Sequence, residues 1–140
     1  MRILVDTNVF LDFLLENPGL ESSAKAFFVE ARRIKAQLIV TSMTLRDAGY
    51  IAHHRLHDKW KSRDIQISIY GMAYKVASIS VDAAISALYD DRQDYEDSLI
   101  IEAAEENMCD YIVTRNIKDF AKSAVPAINT DDMAALMRNL

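Results

Sequence analysis

Short apolar runs alternate along the chain with longer stretches whose apolar residues return every three or four positions. Ile3-Leu4-Val5 ends at Asp6, so Arg2 to Val5 reads as a buried strand closing on a polar residue. Phe10, Leu11, Leu14 and Leu15 predict a short helix, stopped by Asn17-Pro18-Gly19. A second helix, with Ser22 or Ser23 as its cap, carries Ala24, Phe27, Phe28, Ala31 and Ile34 on one face. Leu38-Ile39-Val40 is a second strand, and Ser42 or Thr44 caps a helix running towards His57. The pattern then predicts a helix over Ile65 to Val76, a short strand at Ile79 and a helix over Val81 to Leu88. Asp94 to Asn107 is the clearest helix, with Asp94 as cap and Ile100, Ile101, Ala104 and Met108 inward. Tyr111-Ile112-Val113 is a fourth strand, Pro126 introduces a fifth at Ala127-Ile128, and Asp131 to Leu140 forms the last helix.

Strands alternating with helices imply an α/β fold, a parallel sheet covered on both faces. The 140 residues show no repeat, low-complexity tract or linker, and 1–140 is read as a single domain. Apolar residues at 51% and charged residues at 26% suffice for a core without staples. Cys109, the single cysteine, cannot form an internal disulfide, so a reducing cytoplasm is the expected location. Asp6 interrupts the first apolar run before a signal-peptide core could form, and no stretch of about 18 uncharged apolar residues exists to enter a membrane. Sixteen basic against 21 acidic residues give a net charge of −5, the wrong sign for gripping nucleic acid by bulk charge. Chemistry on nucleic acid would have to rest on local cations or on metal.

The acids point to a location. In an open parallel sheet the functional crevice lies beyond the carboxyl ends of the strands. Asp6 ends the first strand, Asp47 lies about one turn into the helix after the second, and Asn116 and Asp119 follow the fourth. Asp97 joins them if the Asp90 to Asp94 loop delivers its helix to the same edge. Asp47 has Met43, Thr44, Tyr50 and Ile51 at helical neighbour spacings, and Asp97 has Gln93, Asp94, Ile100 and Ile101. Neither has a local base, and an inward carboxylate without one needs a metal, a distant cation or a proton. Plainer roles compete: Asp94 and Asp97 as helix-terminus acids, Asp119 paired with Lys122 or Arg115, and Asp6 as a strand terminator.

Ile3-Leu4-Val5-Asp6-Thr7-Asn8-Val9, Asp94-Tyr95-Glu96-Asp97 opening a helix, and Thr114-Arg115-Asn116-Ile117-Lys118-Asp119-Phe120 together resemble the PIN domain in order and spacing. Pro126-Ala127-Ile128-Asn129-Thr130 before the last helix extends the resemblance over essentially the whole chain, and it is nearest to bacterial toxin-type PIN proteins of the VapC kind. The resemblance implies a three-layer α/β/α sandwich with a mainly parallel sheet. It also implies a metal-dependent endoribonuclease acting on single-stranded RNA, commonly a homodimer, and often the toxin of a toxin-antitoxin pair neutralised by an antitoxin protein. Asp6, Asp97 and Asn116 or Asp119 match the family's acidic metal site, while Asp47 stands where the family usually has glutamate. Asp47 is one methylene shorter than that glutamate, and Asn116, often aspartate in relatives, is neutral.

Oxygen-only ligands suit Mg²⁺ or Mn²⁺ rather than zinc. Asp6, Asp97 and Asp119 are the expected principal ligands, with Asp47 an outer ligand or water-orienting base. Thr7, Asn8, Asp94 and Thr114 are candidate supporting residues, Thr7 and Thr114 serving equally well as plain strand-end caps. Arg55, Lys59, Lys61 and Arg63, with Trp60 as a stacking surface, are candidate RNA contacts, against the alternative of a solvated helix and turn. Arg115 either contacts phosphate or neutralises neighbouring acids. His53 and His57 have metal spacing, but His54 stands where a zincin motif needs glutamate. Cys109 is read as a packed small side chain. Among other enzymes, an aspartyl-phosphate phosphatase needs a second acid where Asn8 stands, and a phospho-receiver lacks its lysine directly after Val113. The main alternative is a PIN-like RNA- or protein-binding module with weak or no cleavage, motivated by Asp47 and Asn116.

Overall fold

The computed structural model of the chain describes residues 1–91 and 94–140. Gln93, counted above among the neighbours of Asp97, lies outside the described residues. Five short segments form five parallel strands: β1 (Arg2–Val5), β2 (Gln37–Thr41), β3 (Lys75–Ala77), β4 (Tyr111–Val113) and β5 (Ala127–Ile128). Their order in the sheet is β3-β2-β1-β4-β5, with Leu4 beside both Ile39 and Ile112, Val40 beside Val76 and Val113 beside Ile128. β1 is central, and the chain leaves it first towards one edge and later towards the other. The reversal falls between β1 and β4, where an open sheet leaves a crevice.

Alternation along the strands sorts the helices into two layers. Ile3, Val5, Leu38, Val40 and Val113 face one core, shared with Val9 and Phe10 of α1 (Thr7–Leu14) and Ala24, Phe27, Phe28 and Ala31 of α2 (Glu21–Arg33). Ala48 of α3 (Ser42–Leu56), Ile69 of α4 (Lys59–Met72) and Met133 and Met137 of α7 (Thr130–Arg138) complete it. Leu4, Ile39 and Ile112 face the other core, with Ile101, Ala103 and Ala104 of α6 (Tyr95–Glu106). α5 (Val81–Tyr89) packs on α6. The result is the expected three-layer α/β/α sandwich. Each large apolar side chain buried in it contributes roughly 1.5–3 kcal/mol. Cys109 is buried in the second core, where burial pushes its thiol up to about 11, in keeping with a packing role. Among the described residues, no helix is long and apolar enough to cross a membrane.

The differences from the sequence pattern lie at element ends, where single side chains decide. α2 begins at Glu21 without a side-chain cap, and Ser23 instead hydrogen-bonds Thr130 of α7. α3 is capped by Thr41 rather than Ser42, with Thr44 as the reciprocal member of a capping box. The helix expected over Ile65 to Val76 starts at Lys59, because Asp58 accepts from the N–H groups of Trp60 and Lys61. It stops at Met72, since Val76 is needed as a partner for Val40, so β3 precedes Ile79 rather than containing it. Gly49 permits the close crossing of α3 and α4: a Cβ there would collide with the Gln66 amide, which donates to the Leu45 carbonyl at 2.7 Å. α6 ends at Glu106, and Met108, expected inward, turns outward at φ 52° with 72% of its surface exposed. α7 starts one residue early, at Thr130, on an Asn129 cap.

Candidate active site

The carboxyl end of β1 hands the chain directly to α1, so Asp6 is both the last residue before the crevice and the N-cap of that helix. Its Oδ1 accepts from the Thr7 N–H at 2.8 Å. Its Oδ2 accepts from Asn8 Nδ2 at 3.0 Å and from Thr114 Oγ1 at 2.8 Å. Thr114, fully buried at the end of β4, also accepts from the Asn116 N–H at 3.0 Å. The first and last of the motifs read from the sequence are therefore tied together across the β1/β4 reversal. Burial pushes the Asp6 carboxyl above its ordinary 3.8, while the bonds from Thr114, Thr7 and Asn8 and the charge of Arg115 pull the other way.

Asp97 reaches the same edge from the first turn of α6, where its N–H is held at 2.8 Å by the Asp94 cap. Its carboxyl is pushed up to about 7, first by desolvation, then by the hydrogen bond and charge of Asp94 and the charges of Asp119 and Asp6. The α6 terminus is thus not a simple capped helix end, since Asp94, Asp97, Asp119 and Asp6 crowd one another. Asp119 lies in the 3₁₀ turn after β4 (Ile117–Phe120), whose start is held by Asn116. Asn116 supports Thr114 through its backbone, whereas Asp119 contributes charge to the cluster.

Asp47 sits apart from these. It lines a cleft of about 420 Å³ together with Thr7, Asn8, Glu96, Arg55 and Arg115, beside the acids. Its side chain is 35% exposed, and Oδ1 accepts from Arg46 Nη1 at 3.2 Å. The expectation of an inward acid with no nearby base needs correcting: spacings of three and four residues leave out the adjacent Arg46, which pairs with it. A larger cleft of about 780 Å³ between α2 and the end of α4 is mostly apolar and contains none of the acids. Chemistry rather than volume marks the site.

Donor chemistry favours a hard divalent cation: a crowd of carboxylates, one pushed up to about 7 by desolvation and its acidic neighbours, with the buried Asn8 Oδ1 beside Asp6 lacking a hydrogen-bond donor among the described residues. Among the described residues, no three Asp, Glu, His or Cys groups are gathered closely enough to grip an ion as they stand. Mutually repelling carboxylates stand apart until a cation offsets their charge.

A sequence model described as the PIN domain matches residues 2–118. The chain belongs to the PIN-domain family. No curated protein matches it significantly. Solved structures of similar fold include VapBC2 from Rickettsia felis bound to a DNA fragment from its promoter, at TM-score 0.64 and 15% identity over 92% of this chain and 98% of that one. FitAB bound to a DNA fragment gives TM-score 0.70 and 17% identity over 91% and 94%. A toxin-antitoxin complex from Klebsiella pneumoniae gives 0.63 and 18% over 91% and 97%. At these identities the likeness establishes the PIN fold.

The basic residues of this PIN domain divide into two groups. Arg55 and Arg115 line the cleft beside the acids. Lys59, Lys61 and Arg63 are exposed on the first turns of α4, Lys59 lying over the Trp60 ring at 4.9 Å, and they do not line that cleft. Arg115 pairs with neither Asp119 nor another clustered acid; its Nε meets Oδ2 of buried Asp12 at 2.9 Å. Asp12 escaped the sequence reading although the test applied to Asp47 would have found it. It is an acid within the apolar stripe of α1, with Asn8, Val9, Leu15 and Glu16 at helical spacings and no base among them.

Proposed function

We propose that this PIN domain is a Mg²⁺- or Mn²⁺-dependent endoribonuclease for single-stranded RNA, the toxin of a toxin-antitoxin pair. The observation that carries the reading is the convergence of Asp6, Asp94, Asp97 and Asp119, with the Asp97 carboxyl pushed up to about 7 by desolvation and then by these acidic neighbours. Family membership and the toxin-antitoxin complexes among the structural neighbours support it. Asp6, Asp97 and Asp119 would hold the ion. Bound there, it supplies a water of lowered pKa and offsets the charge of a phosphodiester under in-line attack. Thr114, Asn8 and the Thr7 N–H fix the Asp6 carboxylate. Asn8 Oδ1, with no donor among the described residues, would accept a hydrogen bond from a water in the site and help to orient it. An antitoxin partner, a homodimer and a cytoplasmic location complete the proposal.

The purified protein should cleave single-stranded RNA with Mg²⁺ or Mn²⁺ and stop in excess chelator. Full cleavage under chelator, or none with either metal while the fold is intact, would contradict it. The second outcome would favour a non-cleaving RNA- or protein-binding module, a reading to which the Arg46–Asp47 pair lends some support.

Asp47 can be tested separately. Asp47→Ala should reduce cleavage by about 10–100-fold, the cost of losing a group that orients metal-bound water. Asp47→Glu should keep most activity, because it retains the carboxylate and adds one methylene of reach. Wild-type rates in Asp47→Ala would place this acid outside the working site.

A further inference from the structure

Asp12 is only 3% exposed, and nothing in the chemistry above uses it. Both of its oxygens are engaged: Oδ2 by Arg115 Nε at 2.9 Å and Oδ1 by Asn17 Nδ2 at 2.8 Å. Asn17 is fixed by its own N–H, which donates to the Asp12 carbonyl at 3.1 Å, and its Oδ1 accepts from Arg55 Nη1 at 2.5 Å. A continuous chain of polar contacts therefore runs from Arg115 through Asp12 and Asn17 to Arg55. It joins the loop after β4, helix α1, the Asn17-Pro18-Gly19 turn and the end of α3. Both arginines line the same cleft as Thr7 and Asn8, the neighbours of Asp6.

A buried carboxylate is costly unless fully paired, and removing its partner costs more than the pair contributes. Here the ion pair also keeps the Arg115 guanidinium at the cleft wall. Because Arg115 is held through Nε, its two terminal amino groups have no other partner among the described residues, and 43% of its side chain is exposed. A guanidinium held beside Asp12 in this way has a fork of amino groups left to match two oxygens of a phosphate, with less ordering needed on binding than for an unpaired side chain. Arg55, anchored through one amino nitrogen, offers a second fork. The cleft adjoins the acids that would act on a phosphodiester, and the next phosphates of a single strand must lie on ground that is otherwise negative.

We propose that Arg115 and Arg55 form a phosphate-binding subsite for the RNA strand beside the acidic cluster, and that buried Asp12, with Asn17, is the positioning residue that aims them. This rests on the RNA reading above, and its test does not depend on cleavage.

The probe is a fluorescein-labelled, mixed-sequence single-stranded RNA of about 12 nucleotides, a length within the usual site size for such strands. Its binding is followed by anisotropy across a salt series with Mg²⁺ present. The parent protein carries Asp97→Asn so that the probe stays intact. Arg115→Gln and Arg55→Gln should each weaken binding and lower the slope of log affinity against log salt by about 0.7, the value of one phosphate contact on a single strand. Asp12→Asn should lower the slope in the same way, and the Asp12→Asn, Arg115→Gln double variant should bind no worse than Arg115→Gln alone. Circular dichroism melts accompany each variant. Arg55→Gln, at an exposed residue, keeps the subsite testable if the Asp12 variant does not fold.

No binding by the parent at low salt, or unchanged slopes in both arginine variants, overturns the subsite. Fully additive losses from Asp12→Asn and Arg115→Gln overturn the positioning role. RNA bound with arginine-dependent slopes but never cut by the wild-type protein would sink the nuclease reading and leave the subsite standing.

Discussion

Asp97→Asn should abolish cleavage while raising the melting temperature of the metal-free protein. The carboxyl is pushed up to about 7 from an ordinary 3.8, and after desolvation the causes are all acidic neighbours: Asp94, Asp119 and Asp6. A group whose folded pKa is raised favours the folded state at low pH, and that advantage is lost as pH rises from its unfolded to its folded value. Here the window runs from about 4 to about 7. Above it the wild-type protein carries the full repulsion, which the neutral amide does not. The gain should be modest, because Asp97 is only partly buried and solvent screens it. A rise of roughly 2–4 °C at about pH 8, shrinking towards nothing near pH 4, fits a chain of this size. Cleavage should fall at least about a hundredfold, the scale of losing one preorganised charge-stabilising group. Paired melts and rate measurements check both. A variant that is less stable at every pH yet still active would mark Asp97 as a structural acid of the α6 terminus.

Thr114→Val should be destabilising and impaired at once. Valine matches threonine in shape but removes the hydroxyl that donates to Asp6 Oδ2 at 2.8 Å and accepts the Asn116 N–H at 3.0 Å. Asp6 Oδ2 would keep only the Asn8 bond, and the Asn116 N–H would lose its partner beside the fully buried Thr114 side chain, at a cost of about 1–3 kcal/mol. Loss of that donor raises the Asp6 carboxyl further, since the Thr114 bond is the largest influence holding it down. Metal affinity and cleavage should drop about 10–100-fold, as when a support beneath a ligand is removed. Thr114→Ser keeps the hydroxyl and should restore activity more than stability. Wild-type melting and cleavage in Thr114→Val would show that this bond does not hold the Asp6 carboxylate in its working position.

Which elements could be read from the sequence follows from what determines each. Ile3-Leu4-Val5, Leu38-Ile39-Val40 and Tyr111-Ile112-Val113 are strands because uninterrupted apolar runs fit a sheet covered on both faces, a constraint local to each run. The carboxyl-edge rule then brings Asp6 and Asp119 to one end of the sheet. The rest depended on partners distant in sequence. β3 was displaced because its place is set by pairing with β2, and Val76 carries no local mark of that. Met108 turned outward because α6 ends at Glu106, which helical spacing alone does not report. Asp47 was read as lacking a base because only same-face spacings were tested, and Arg46 is adjacent. Asp12 and Arg115 lie 103 positions apart in the sequence, so their ion pair emerges only from the fold.

Calorimetric titration of Mn²⁺ into the metal-free protein near pH 7.5 tests most directly whether the acidic crowd is a divalent cation site. The wild type should show saturable binding that weakens as pH falls below about 7, where Asp97 gains its proton. Asp6→Asn and Asp97→Asn, each verified as folded, should bind at least about tenfold more weakly. Equal binding in all three proteins, or none in the wild type, would contradict the assignment of Asp6, Asp97 and Asp119 as the residues that hold the ion.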